Sequence, residues 1–301
     1  MQILFISSTR IGDAVLSTGL LAVLLERHPG ARITVACGPA AEGVFTRMPG
    51  LERLWLLRKR RWSAHWLGLW RHALVRRWDL VVDLRGSAMA WLVPARARAV
   101  MRGGRRPGHR LAHLAQVLGL SPPPLPVAWW SAADAAALPP LPERFLALGP
   151  TANWSCKVWP ADRFVALARA LDLQVVVLGG PGAAEAAMAE PVLAALPGAQ
   201  NLVGRLSLPQ AAALLSRASL YVGNDSGLMH LAAAAGVPTL GLFGPTSADE
   251  YGPAGARARA VLADPHESPD GASELDRLPR MDALPVARVL DAAAAMLGVP
   301  A

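Results

Sequence analysis

The 301-residue sequence contains two cysteines, two lysines and no long apolar run, and these shortages exclude several classes of protein. Cys37 and Cys156 are far apart and lack metal-ligand spacing, so we expect two reduced thiols and neither a disulfide nor a metal site. No segment reaches the about 20 uninterrupted apolar residues that a membrane-spanning helix needs. Arg10 and Asp13 interrupt the first apolar run, which lacks a leading basic region, so we expect no secretory signal.

Several catalytic motifs are also missing. The sequence has no P-loop, and Gly179-Gly180-Pro181-Gly182 differs from the dinucleotide-binding fingerprint, which disfavours a dehydrogenase. Residues 223–227 do not form the nucleophile elbow of a hydrolase, because Asn224 stands where that motif requires glycine. No histidine or carboxylate cluster has metal-ligand spacing, so we expect neither a metal nor a cofactor.

What the sequence does contain is a strong asymmetry of charge. Residues 1–150 carry 20 Lys and Arg against 8 Asp and Glu, a net +12, whereas residues 151–301 carry 10 against 14, a net −4. The basic excess lies mainly in residues 53–110, with 15 basic and 2 acidic side chains and six of the ten tryptophans. Such a segment suggests an anionic partner: a membrane surface, a phosphorylated glycan or a nucleic acid. The alternative is that arginines coat the helices with solvated charge.

The tryptophans bear on that choice. Trp62, Trp66 and Trp70 have the i, i+4, i+8 spacing of one helix face. Their exposure to water would be unfavourable without a partner, so we favour a partner for residues 53–110. Burial of this stripe against the sheet would weaken the argument.

Strand and helix patterns alternate along both halves of the chain, which predicts an α/β protein with parallel sheets. The proline-rich residues 120–143 fit neither a helix nor a central strand and form the predicted interdomain segment. We predict an N-terminal domain over residues 1–143 and a C-terminal domain over 144–301, with a polar loop over 263–281 and a last helix over 285–297. Two such domains facing each other across a cleft would bind ligands at the carboxyl ends of both sheets.

The first candidate site is the loop between the first strand and the first helix. We predict that this helix is a single one over residues 12–28. Arg10, Gly12 and Asp13 lie in this loop or open the helix. Gly12 permits close approach of the backbone. Asp13 has two explanations. It complements the helix dipole or caps the helix N-terminus, which is the commoner use, or it is a general base that takes a proton from an attacking hydroxyl.

The second candidate site is the loop over residues 149–160, which follows the first strand of the second half. It contains Thr151 and Lys157, one of two lysines beside 28 arginines. An ammonium group is a compact point charge, unlike the planar guanidinium fork. Lys157 is therefore either a group that stabilises a departing phosphate or an ordinary surface lysine.

The third candidate site lies within residues 221–247, which read as strand, polar loop, helix, strand and glycine-rich loop. A polar loop that opens a helix after a parallel strand is an anion site, because free N–H groups and the helix dipole point at it. Asp225 also suits a helix N-cap, and a lone histidine such as His230 is more often structural than catalytic. The candidate ligand contacts here are Asp225, Ser226, Gly227 and His230.

Three motifs, in this order, give the chain its resemblance to glycosyltransferase family 9, the bacterial lipopolysaccharide heptosyltransferases. They are Ile11-Gly12-Asp13, then Lys157-Val158-Trp159-Pro160, then residues 224–234 followed by Leu242-Phe243-Gly244-Pro245-Thr246. The third motif is long and specific, whereas Gly-Asp alone is weak. Asp83-Leu84-Arg85-Gly86 and Asn201-Leu202-Val203-Gly204 are further family-like elements, and the resemblance runs over nearly the whole chain.

The resemblance implies a GT-B fold of two Rossmann-like domains, with the acceptor on the N-terminal side and the nucleotide sugar on the C-terminal side. It also implies inverting transfer without an essential metal. Asp13 would be the base, Lys157 would stabilise the diphosphate leaving group, and Asp225 would contact the donor sugar. Further donor-side residues would be Thr151, Ser226, Gly227, His230, Gly244 and Thr246. The acceptor-side residues would be Arg10, Gly12 and Arg85.

We therefore expect an enzyme that moves heptose from ADP-heptose to an anionic, lipid-linked acceptor of the lipopolysaccharide core. It would act on the cytoplasmic face of the inner membrane, with residues 53–110 in peripheral contact with the lipids and no nucleic acid bound. The alternatives are transfer of another nucleotide sugar, a non-catalytic nucleotide-sugar-binding protein, and a basic nucleic-acid-binding protein. The presence of both Asp13 and Lys157 argues against the non-catalytic alternative.

Overall fold

A computed structural model describes residues 1–58, 61, 65–103, 107–265 and 279–298. The chain forms two compact units, residues 1–131 and 132–301. Their boundary falls between Ser131 and Ala132, inside the proline-rich segment 120–143. The second unit thus includes residues 132–143, because the short helix there packs against a helix of that unit.

The first unit is built on a five-stranded parallel sheet. Its strands are β1 (Gln2–Ile6), β2 (Arg32–Cys37), β3 (Leu51–Leu56), β4 (Trp78–Asp83) and β5 (Ala95–Val100), in the order β3-β2-β1-β4-β5. The central strand β1 is apolar and almost wholly buried, as expected where helices cover both faces of a sheet. The helices are α1 (Ile11–Leu16), α2 (Thr18–Arg27), α3 (Glu42–Phe45), α4 (His65–Leu74) and α5 (Arg110–Gln116).

The single helix predicted over residues 12–28 is wrong, because the chain breaks at Ser17 into α1 and α2. The Ser17 hydroxyl donates to the Ala14 carbonyl at 2.7 Å, and the Thr18 hydroxyl donates to the Val15 carbonyl at the same distance. Such hydroxyls compete with the helical backbone for its carbonyls. The break therefore leaves the residues after β1 on a short helix of their own.

The second unit is built on a six-stranded parallel sheet. Its strands are β6 (Phe145–Gly149), β7 (Gln174–Val177), β8 (Gln200–Asn201), β9 (Leu220–Asn224), β10 (Thr239–Phe243) and β11 (Ala258–Leu262), in the order β11-β10-β9-β6-β7-β8. Strand β11 was not predicted, because it is an edge strand with mostly exposed side chains. The helices are α6 (Ala132–Ala136), α7 (Ala161–Leu171), α8 (Ala183–Ala195), α9 (Leu208–Leu215), α10 (Gly227–Ala234), α11 (Ala248–Tyr251) and α12 (Val286–Leu297).

The end of the chain packs onto the second unit. Helix α12 lies against α7, and Pro285 is its N-cap residue. The carbonyl of Leu284 accepts hydrogen bonds from the indole of Trp159 at 2.9 Å and from Arg163 at 2.6 Å. Most of the polar loop predicted over residues 263–281 lies outside the described residues. Within the described ranges, no helix has both the length and the apolar character needed to cross a bilayer.

Because all strands within each unit are parallel, the loops that follow them emerge at one edge of each sheet. All three candidate sites lie in such loops or in the helix turns that follow them.

Candidate active site

The carboxyl edge of the first sheet contains a pocket of about 270 Å³. Asp13 enters it from the first turn of α1, and Arg85 enters it from the loop after β4. Because β1 and β4 are neighbours in the sheet, their two loops meet at this edge. The lining residues are Ser8, Asp13, Leu84, Arg85, Met101, Arg110 and Leu114.

Asp13 is not the N-cap of its helix. Arg10 occupies the N-cap position with an extended backbone and makes no side-chain cap. The Asp13 carboxylate instead has an ion pair with Arg110, with 3.4 Å between Oδ1 and Nε, and accepts a long hydrogen bond of 3.5 Å from the Ser8 hydroxyl. Its side chain is 20% exposed, so the carboxylate is shielded yet open to the pocket. This geometry is compatible with a general base.

A buried carboxylate holds the loop that carries Arg85. Asp83 is fully buried, and its carboxylate accepts hydrogen bonds from the backbone N–H groups of Arg85 and Ser87, both at 2.8 Å. Gly86 has φ +61°, a left-handed conformation that glycine adopts without steric cost. The guanidinium of Arg85 lies 5.2 Å from the ring centroid of Trp66, a cation–π contact that braces it.

Of the other acceptor-side candidates, Arg10 is exposed and Gly12 lies in the first turn of α1. Neither is among the residues that line the pocket. Their acceptor role stays a prediction.

The carboxyl edge of the second sheet brings Lys157, Asp225 and Thr246 together. The Lys157 ammonium lies 2.5 Å from Oδ2 of Asp225, and the Thr246 hydroxyl donates to the same oxygen at 2.9 Å. The ammonium also lies 4.8 Å from the ring centroid of Trp154. The Lys157 and Asp225 side chains are only 12% and 9% exposed, so water screens this ion pair little. A lysine held in this way is not an ordinary surface lysine.

Helix α10 begins beside this cluster. Ser226 is its N-cap, and the Ser226 hydroxyl accepts a hydrogen bond of 3.4 Å from the backbone N–H of Met229. Gly227 is the first helical residue. N–H groups at the start of a helix attract anions. His230 is only 4% exposed, so it lies in the interior beneath this turn.

Two further candidates lie in neighbouring loops. Thr151 is 5% exposed, and its methyl group packs so near Gly179 that a Cβ there would lie 3.2 Å from it. The glycine loop after β7 therefore packs against the loop after β6. Gly244 is needed for packing, because a Cβ there would lie 2.7 Å from the sulfur of Met281.

Tyr221, for which the sequence predicts no role, lies beneath this edge. Tyr221 is fully buried in β9, and any Cβ at Gly149 or Gly223 would collide with its hydroxyl. Burial raises the pKa of the phenol, so it stays protonated near neutral pH. A tyrosine in an apolar strand, with glycines at the strand ends, is the signal that could have revealed it.

The tryptophan stripe proposed for residues 53–110 is partly buried. Trp66 and Trp70 pack against the apolar core of the first unit, and the Trp70 indole donates to the Leu92 carbonyl at 3.1 Å. Trp62 lies outside the described residues. These contacts give Trp66 and Trp70 a structural role, so these two tryptophans no longer indicate a partner, and only the charge of residues 53–110 does.

The fold and these edges define a class of protein. Two units, each with a parallel sheet and helices, form the GT-B glycosyltransferase fold. The structure is similar to that of E. coli ADP-heptose lipopolysaccharide heptosyltransferase II, with a TM-score of 0.73, 24% identity and coverage of 99% of this chain and 98% of that one. It is also similar to E. coli heptosyltransferase WaaC with ADP, with a TM-score of 0.77, 18% identity and coverage of 98% and 100%.

The chain belongs to glycosyltransferase family 9. The model of that family, described as "Glycosyltransferase family 9 (heptosyltransferase)", matches residues 118–281. The chain is 30% identical over 315 residues to lipopolysaccharide heptosyltransferase 2 of Salmonella typhimurium strain LT2, across 87% of this chain and 88% of that protein. It is 29% identical over 286 residues to lipopolysaccharide heptosyltransferase 1 of Pseudomonas aeruginosa strain PAO1, across 82% and 79% of the two proteins.

Proposed function

We propose that this chain is an inverting, metal-independent heptosyltransferase that moves heptose from ADP-heptose to an acceptor of the lipopolysaccharide core. The observation that carries the proposal is the cluster of Lys157, Asp225 and Thr246 beside the N-terminus of α10. A departing diphosphate needs positive charge, which a shielded lysine and a helix N-terminus together supply. The relatives' names, and the ADP named for the E. coli structure, support the same sugar and nucleotide.

In the proposed reaction, Asp13 takes the proton of the acceptor hydroxyl as the hydroxyl oxygen attacks the anomeric carbon of the donor. The bond between that carbon and the diphosphate oxygen breaks, and ADP leaves with the electron pair. Lys157 and the N–H groups of Ser226 and Gly227 stabilise the charge that develops on the phosphate. Asp225 holds the sugar. A single displacement inverts the anomeric configuration.

The acceptor is proposed to be anionic, because arginines crowd the carboxyl edge of the first sheet. They come from the loops after four of its five strands and from the start of α5, and guanidinium groups pair well with phosphate and carboxylate oxygens. Among them, Arg85 lines the pocket that contains Asp13 and is proposed to meet the acceptor, whereas Arg110 in the same pocket is paired with Asp13 itself. The arginines at this edge are Arg10, Arg58, Arg85, Arg102 and Arg110.

The enzyme is proposed to act at the cytoplasmic face of the inner membrane, in peripheral contact with anionic lipids through residues 53–110. The support is their charge, 15 basic against 2 acidic side chains, part of which lies outside the described residues. Co-sedimentation with vesicles of anionic and of neutral lipids tests this contact. We expect binding to the anionic vesicles alone, and we expect salt to weaken it. Binding to neither kind of vesicle, or equal binding to both, would refute the proposed contact.

A donor panel tests the reaction. The purified protein is incubated with a lipopolysaccharide-core acceptor and ADP-heptose, UDP-sugars or GDP-sugars, and the glycan is analysed by mass spectrometry and by NMR of the anomeric proton. We expect heptose addition from ADP-heptose with inverted configuration, unchanged by EDTA. Turnover with a UDP- or GDP-sugar and none with ADP-heptose would show that the enzyme uses another donor. Binding of ADP-heptose without turnover would make it a binding protein, and loss of activity in EDTA that Mg²⁺ restores would refute the metal-independent mechanism.

A further inference from the structure

Arg110 lines the acceptor-side pocket, although no sequence motif indicates it there. It is the first residue of α5, whose N-cap is His109, and the His109 Nδ1 accepts a hydrogen bond of 3.1 Å from the backbone N–H of Leu111. The helix dipole favours acidic side chains in a first turn, so a guanidinium at this position does not stabilise the helix. The placement of Arg110 therefore needs another explanation.

The explanation lies in what the guanidinium reaches. Its Nε lies 3.4 Å from Oδ1 of Asp13, and its Nη1 lies 3.6 Å from the sulfur of Met101. The Arg110 side chain is 27% exposed, and its buried Nε makes no hydrogen bond to any of the residues that the structure describes. Arg110 and Asp13 thus form an ion pair in which this N–H makes no hydrogen bond.

Ser8 approaches the same carboxylate from the other side. Its hydroxyl donates to Oδ2 of Asp13 at 3.5 Å, so each carboxylate oxygen has its own neighbour. Both contacts are longer than a good hydrogen bond. In enzymes without substrate, catalytic hydrogen bonds are often long and tighten only in the substrate complex.

We propose that Arg110 is a positioning residue that holds Oδ1 of Asp13 and so directs Oδ2 at the acceptor hydroxyl. The inference rests on the proposed function, because it takes Asp13 as the general base. Arg110 transfers no proton, since a guanidinium stays charged at any physiological pH. Its effect is on the orientation of the base, and a small error in such orientation reduces the rate of the chemical step.

The test combines Arg110→Ala, Arg110→Lys, Asp13→Asn and the double variant of Asp13→Asn with Arg110→Ala. Arg110→Ala should lower kcat by about 10- to 100-fold, because the base is misoriented. The KM values for donor and acceptor should change by less than about threefold, because ground-state binding is unaffected. Added guanidinium ion should restore part of the kcat of Arg110→Ala and none of that of Asp13→Asn, and Arg110→Lys should retain more turnover than Arg110→Ala.

The matched control is Arg32→Ala. Arg32 also pairs with a carboxylate of the first unit, Glu52 at 3.0 Å, but it lies at the opposite edge of the sheet and outside the pocket. Its loss should leave turnover unchanged. Thermal melting of each variant checks that it folds, and Arg110→Lys keeps the test decisive should Arg110→Ala fail to fold.

The double variant separates the two ideas. If Arg110 acts through Asp13, Arg110→Ala should not lower the residual turnover of Asp13→Asn any further. If Arg110→Ala lowers the kcat of Asp13→Asn by as much as it lowers that of the unchanged protein, the inference is overturned. It is also overturned if Arg110→Ala changes only the KM for the acceptor, which rises. Near-normal turnover of Asp13→Asn would instead refute the base assignment in the proposed function.

Discussion

The carboxyl edges of the two sheets have the same backbone plan but different chemistry. At the first edge, a carboxylate, Asp13, lies among guanidinium groups in an open pocket. At the second edge, the ammonium of Lys157 is packed between Asp225, Thr246 and the ring of Trp154. Parallel sheets put loops at such an edge, and the loop residues decide what the edge does. The comparison suggests an edge for proton transfer and an edge for holding a phosphate.

The burial of the two ion pairs supports this division. Asp13 and Arg110 are 20% and 27% exposed and 3.4 Å apart, whereas Asp225 and Lys157 are 9% and 12% exposed and 2.5 Å apart. A base must meet its substrate and later lose its proton to water, which favours the looser and more open pair. A group that stabilises a developing charge is more effective where water is excluded.

The largest expected loss of turnover comes from Asp13→Asn, which removes the proposed base at the first edge. The amide keeps the shape of the carboxylate but cannot accept the proton, so turnover should fall by about 10²- to 10⁴-fold. Calorimetric titration should find ADP affinity unchanged, because the proposed donor contacts are on the second edge. A variant that loses ADP affinity together with turnover would mean that the two edges do not have separate roles.

A smaller loss of turnover is expected from Lys157→Ala, which removes the ammonium group at the second edge. Removal of the ammonium should lower turnover by about 10²-fold, since one charge-stabilising donor is lost, and should weaken ADP binding in the same titration. The control is Arg288→Ala, which removes an exposed ion pair of 2.7 Å with Asp264 in the same unit and should change neither quantity. Unchanged ADP affinity in Lys157→Ala would leave the lysine a structural role only.

Most of the fold could be predicted because the apolar strands of both units follow one another in a simple alternation. The apolar patterns predict strands over residues 32–37 and 239–243 and a helix over 161–171, and β2, β10 and α7 have these bounds. The break at Ser17 was missed because it depends on hydroxyl contacts, not on hydrophobic period. Strand β11 was missed because most of its side chains are exposed and its sequence has no apolar pattern. Its pairing with β10 stabilises it as a strand.

The site could be predicted loop by loop but not pair by pair. Asp13, Lys157 and Asp225 were found because each follows a strand, and such positions converge at one edge of a parallel sheet. Which loops touch depends on strand order: Lys157 meets Asp225 because β6 lies beside β9. Arg110 was not found, because a cation that opens a helix carries no signal until its partner across the pocket is known.

A smaller effect is expected from glycine substitutions that compare the two units. Gly19 lies beneath the proline-rich segment, and a Cβ there would lie 2.6 Å from the Leu125 carbonyl oxygen. Gly19→Ala should therefore destabilise the fold by about 1–3 kcal/mol, through overpacking of the helix that follows the Asp13 turn. Gly198 in the second unit has no atom within 4 Å of a Cβ, and Gly198→Ala should be neutral or stabilising by about 0.4–1 kcal/mol.

Urea denaturation of both variants measures these free energies of unfolding. Equal stability of Gly19→Ala and Gly198→Ala would show that the proline-rich segment is not packed tightly on α2. Loss of turnover in Gly19→Ala beyond the loss of folded protein would link that segment to the position of Asp13.

The smallest effect is expected at the two cysteines, one in each unit. Burial, and secondarily the charge of Glu42, raises the pKa of the Cys37 thiol to about 12, whereas Cys156 is exposed beside Lys157. The thiolate is the reactive species, so a thiol reagent at about pH 8 should label Cys156 and spare Cys37 in the folded protein. Peptide mass mapping measures this, with Cys156→Ser as the control. ADP should slow the labelling because it would occupy the space beside Lys157, and a rate that only the acceptor slows would reverse the roles given to the two edges.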